Sequence, residues 1–80
     1  IKLVQETIVA MYAERGVPIM PEGVNYFDDC IGFFFCTRQN MYSDAGSLAN
    51  QFVQRELPKI MGKSVTVGGT ECRVLIWIGK

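Results

Sequence analysis

Two runs of this 80-residue chain are apolar without the alternation of a strand that has one wet face. They are Ile31-Gly-Phe-Phe-Phe-Cys36 and Val74-Leu-Ile-Trp-Ile78. Both are strand-length and far short of the roughly 20 residues a membrane-spanning helix needs, so no membrane partner is expected. A triple phenylalanine in a central strand is more often core, which calls for a second layer over the sheet.

The remaining periodicities supply that layer. Val4, Ile8, Met11 and Tyr12 follow helical spacing, which predicts a helix over residues 2–15. Gly16 suits the position after its end, and Pro18 forbids continuation. Pro18 to Gly23 reads as a connector. A hairpin follows, Val24–Phe27 and Cys30–Arg38, turning at Asp28-Asp29 and pairing Tyr26 with Ile31. Gln39 to Ser43 reads as a polar loop, with Ser43 or Asp44 able to cap a second helix. Ala45, Leu48, Ala49, Phe52, Val53, Leu57, Ile60 and Met61 keep helical phase across Pro58, which predicts a kink or a short extra turn rather than a stop. Gly62 ends that helix. A last hairpin, Lys63–Val67 and Thr70–Ile78, is expected to turn at Gly68-Gly69, since the tight hairpin turns need positive φ. The expectation is a single α+β domain over residues 1–80, of order α-β-β-α-β-β, with an antiparallel sheet of four strands. Because the chain opens on Ile1 rather than Met, a piece of a longer protein is equally compatible.

Charge and cysteine content exclude several functions. Eight basic residues balance eight acidic ones, and histidine is absent. A duplex-DNA binder normally carries a strong basic excess, so none is expected. Cys30, Cys36 and Cys72 are an odd set without metal-type spacing, and they read as free thiols acting as small core residues in a reducing, cytoplasmic compartment. No cationic segment followed by an apolar one opens the chain, so no signal peptide is read there. Without histidine there is no evident base to activate a cysteine. Asp28-Asp29 offers too few oxygens for a calcium shell and reads as a turn. Gly62-Lys63-Ser64 ends like a phosphate-binding loop, but Leu57 stands where that loop needs glycine, and a helix precedes rather than follows it. No catalytic residue, metal or cofactor is expected, and the chain reads as a non-enzyme.

Gly32-Phe33-Phe34-Phe35-Cys36 resembles the centre of the first ribonucleoprotein motif of RNA-recognition domains. There, aromatics on a strand stack against bases. The element order, with one strand added before Ile1, is similar to that β-α-β-β-α-β family over much of the chain. Ile31, Phe34 and Arg38 depart from the motif's basic, small and aromatic positions, and the strand that would carry the second motif is missing.

Sorting each hairpin by face leaves an apolar surplus. One face collects Val24, Tyr26, Ile31, Phe33, Phe35, Val65, Val67, Val74, Ile76 and Ile78. The other carries Phe27, Phe34, Leu75 and Trp77 beside Arg38, Arg73 and Glu71. Three arrangements account for it: helices on opposite faces, a protein partner or second copy on the surplus face, or single-stranded nucleic acid stacked there. The functional expectation is a protein-interaction or dimerisation module using Phe27, Phe34, Arg38, Arg73, Leu75 and Trp77. Its alternative is binding of single-stranded nucleic acid, RNA included, through the same aromatics.

Overall fold

The computed structural model describes residues 1–80. Its elements are α1 (Lys2–Glu14), β1 (Ile19–Tyr26), β2 (Cys30–Thr37), α2 (Asp44–Met61), β3 (Val65–Thr70) and β4 (Arg73–Gly79). The α+β order expected from the periodicities is therefore the observed one. All strand pairings are antiparallel, in the order β1-β2-β4-β3. The two runs apolar on both sides form the central strands, where neighbouring strands satisfy their backbone on both edges.

Both helices lie on one face of the sheet. Ile8, Met11 and Tyr12 of α1 share one core cluster with Ala49, Val53 and Leu57 of α2 and with Phe33, Phe35, Val74, Ile76 and Ile78. This answers the question of opposite-face helices: there is no third layer. Tyr12 is buried, and its hydroxyl donates to Asn50 Oδ1 on α2, tying the helices together. Burial pushes its ionisation well above the ordinary tyrosine range.

The helix ends follow the sequence closely. Gly16 and Gly62 hold φ of 79° and 67°, the left-handed conformation that ends a helix. The Ser43 side chain accepts a hydrogen bond from the Gly46 N–H at 3.3 Å. α2 runs unbroken through Pro58 to Met61. Two members of its expected apolar set, Leu48 and Ile60, are nevertheless more than half exposed.

Three features differ from the sequence expectation. First, β1 starts at Ile19, inside the supposed connector. Pro21 is tolerated because it sits opposite Phe35 on an edge strand, where its backbone faces away from the ladder. A bulge between Pro21 and Gly23 accommodates Glu22. Second, the β3–β4 turn is Glu71-Cys72, not Gly68-Gly69, and Glu71 takes the positive φ of 50°. The two glycines are spent on close packing instead. A Cβ on Gly69 would meet Asn50 Nδ2 at 2.9 Å and the Met41 Cβ at 3.1 Å. The face sorting of Val65, Val67, Val74, Ile76 and Ile78 survives, but Cys72 moves into the turn. Third, the loop before α2 is not wholly polar on the inside. Met41 is buried in the core cluster, and its N–H donates to the Glu71 carbonyl.

Both sheet edges are blunted. The Gln54 side chain of α2 reaches over β3, donating to the Val65 carbonyl at 2.6 Å and accepting from the Val67 N–H at 2.7 Å. It takes the hydrogen bonds a neighbouring strand would make. On the other side, Pro21 and the bulge interrupt β1.

Candidate functional site: the open face of the sheet

With both helices on one side, alternate residues of the central strands point away from them. Register places Phe34 opposite Leu75, Gly32 opposite Trp77, and Cys36 opposite Arg73. On the flanking strands, Gly23 lies beside Phe34, Thr66 beside Trp77 and Gly68 beside Leu75. The period of two along each strand carries these residues to the uncovered side whenever Phe33, Phe35, Val74 and Ile76 face the core.

The aromatics on this face lie along the sheet. A Cβ added to Gly32 would meet Phe27 Cε2 at 3.0 Å, Phe34 Cζ at 3.2 Å and Trp77 Cδ1 at 3.3 Å. The far end of the indole approaches Gly68, with Cζ3 at 3.4 Å from the position of an added Cβ. Trp77 thus spans from β2 to β3 over two glycines, and Phe27 folds back from the end of β1 onto the first of them. Gly32 is buried beneath these rings, between its neighbours on β1 and β4. Phe34, Leu75 and Trp77 are half-buried without any second layer, and Phe27 is 43% exposed.

Of the six residues expected at the site, the structure brings Phe27, Phe34, Leu75 and Trp77 into one cluster. Arg73 stands at its margin, its Nη1 3.7 Å from Glu22 Oε1 of the β1 bulge. Their pairing spans the strands beside Phe34, and with Asn25 they edge a shallow cleft of about 390 Å³. Arg38 lies apart, beyond the end of β2, beside Met20 and Cys36 in a smaller cleft of about 280 Å³. Sequence reasoning missed Glu22 and Met20, because it treated residues 18–23 as connector. It also missed the part played by Gly32 and Gly68, although a glycine within an apolar strand is the usual signal of close approach by another group.

The cysteines do not join the core as expected. Cys30 and Cys36 are half-buried on the open face and Cys72 is exposed in its turn. Desolvation, with the neighbouring Asp29 carboxylate, raises the Cys30 thiol above its ordinary range, the opposite of what a nucleophile needs. No group of three or more Cys, Asp or Glu side chains gathers where a metal could be held. No helix is long and apolar enough to cross a membrane. Comparison of the chain with models of known protein families, with curated proteins and with solved structures found no match.

Proposed function

We propose that this chain is a non-enzymatic protein-interaction module, and that it contacts its partner, a second copy in the simplest case, through the open sheet face. The observation that carries this reading is the placement of both helices on one side, which leaves Phe27, Phe34, Leu75 and Trp77 uncovered on the other. Aromatic residues ringed by a few charges are typical of protein interfaces, and arginine is enriched there as well. The blunted edges favour the face over strand addition. The Arg73–Glu22 pair gives the margin both signs of charge, consistent with the balanced charge of the chain.

The test is sedimentation and light scattering at about 100 μM, a concentration that populates even weak micromolar interfaces. Association that disappears in Leu75→Lys, with helicity retained, is the expected result. A monomer whose Trp77 is quenched equally well at high and low concentration would count decisively against self-association.

One observation favours a second reading. Phe34 and Trp77 occupy the two central strands of a four-stranded antiparallel sheet backed by helices, the placement that lets RNA-recognition sheets stack bases. Here β4 lies beside β2, where the strand missing from the sequence resemblance would be needed. Titrating labelled single-stranded oligonucleotides at low salt separates the readings. Quenching of Trp77 that Phe34→Ala abolishes supports nucleic acid, and its absence leaves the protein interface.

A further inference from the structure

On the opposite side of the sheet from the aromatic face, the helical layer does not close completely. Tyr26 points toward the helices, as its partner Ile31 does, yet it is 63% exposed. The start of α1 and the end of α2 part at this corner and leave a cleft of about 480 Å³, within the roughly 300–1,000 Å³ of small-molecule sites. Its floor is Ile31, Phe33 and Ile78, and its walls include Val4 and Met61. Phe33 and Ile78 are otherwise almost fully buried, so the cleft reaches the core itself. Only two charged side chains line it, Lys63 and Lys80, and no acidic one does.

We propose that this cleft binds a free single-chain amphiphile with an anionic head, a medium-chain fatty carboxylate being the simplest case. The acyl chain lies on Ile31, Phe33 and Ile78, where it replaces water over apolar surface. The carboxylate stays at the rim beside Lys63 and Lys80, partly solvated, so that neither charge is buried without a partner. A neutral chain gains the first contribution without the second. A membrane surface fits poorly, since Phe33 and Ile78 of the floor are only 2% and 5% exposed. The inference is independent of the function proposed above, because the cleft and the aromatic face lie on opposite sides of the sheet.

Decanoate, with decanol as neutral control, is titrated into the protein while isoleucine and methionine methyl signals are followed by nuclear magnetic resonance. Saturable, one-to-one shifts at Ile78 and Met61, with Trp77 unmoved, are expected. Lys63→Ala with Lys80→Ala should weaken decanoate about three- to tenfold, as for exposed charge pairs, and leave decanol unchanged. Val4→Trp, which fills the cleft from a half-buried helix position, should abolish both without loss of helicity. Shifts confined to the open face, decanol binding as tightly as decanoate, an unaltered affinity in Val4→Trp, or binding only to anionic vesicles would each overturn the proposal.

Discussion

Phe33 and Phe34 are neighbours in the chain and meet opposite fates. Phe33 is 2% exposed beneath the two helices, whereas Phe34 is half-buried on the open face beside Gly32. The same contrast runs along β4, where Val74 and Ile76 are sealed and Leu75 and Trp77 are not. On the helical side, side chains stand away from the sheet into a second layer. On the other side they recline over glycines. A small domain can thus hide part of an apolar surplus by laying rings on its own backbone, at the cost of leaving one surface of each ring available to another molecule.

The sharpest test of this contrast is to remove matched rings. Phe35→Ala should cost about 3–5 kcal/mol, enough to unfold much of a domain this small. Phe34→Ala should cost about half of that or less, because its ring is only partly withdrawn from water. Equal costs in urea denaturation would mean the open face is as structural as the core.

The glycines test it next. Gly46→Ala would place a Cβ 2.8 Å from the Met41 Cα, and that neighbour is backbone. A cost of about 1–3 kcal/mol is expected despite the helix preference for alanine. Gly32→Ala meets only movable rings at 3.0–3.3 Å. It should cost less and instead shift Trp77 emission as Phe27 and the indole move. If Gly32→Ala leaves that emission unchanged, the indole does not rest there.

The smallest effect concerns the polar tie inside the helical layer. Tyr12→Phe leaves Asn50 Oδ1 without its donor and should cost about 1–2 kcal/mol at neutral pH. Because the folded protein holds the Tyr12 proton more tightly than the unfolded chain, its stability is intact below the ordinary tyrosine range and falls as pH rises above about 10. The phenylalanine variant should lack that component of the fall. Parallel slopes from pH 9 to 11 would show that Tyr12 ionises freely in the folded state.

Much of the fold was legible because its signals are local. Helical spacing, the Gly16 and Gly62 ends, the Ser43 cap and the Asp28-Asp29 turn depend on residues a few positions apart. Four of the six residues expected on the open face, Phe27, Phe34, Leu75 and Trp77, were legible too, through the strand period of two. What failed were signals with two meanings. Gly68-Gly69 suits a tight turn and equally suits a strand pressed by Trp77, Asn50 and Met41. Pro21 argues against a strand unless the strand is an edge. Met41, polar in its surroundings and buried in fact, gave no periodic signal at all.

By itself, then, the sequence determined the element order, which residues share a strand face, and that more apolar surface exists than one helix-covered side absorbs. Those properties follow from backbone periodicity, which any segment carries with it. Only the tertiary structure decided that both helices occupy the same side, that glycines serve as seats for rings, that Gln54 closes the β3 edge, and that the helix ends part over Ile31 and Ile78. Each of these depends on contacts between residues distant in the chain, where the fit of two surfaces rather than the preference of either one selects the outcome.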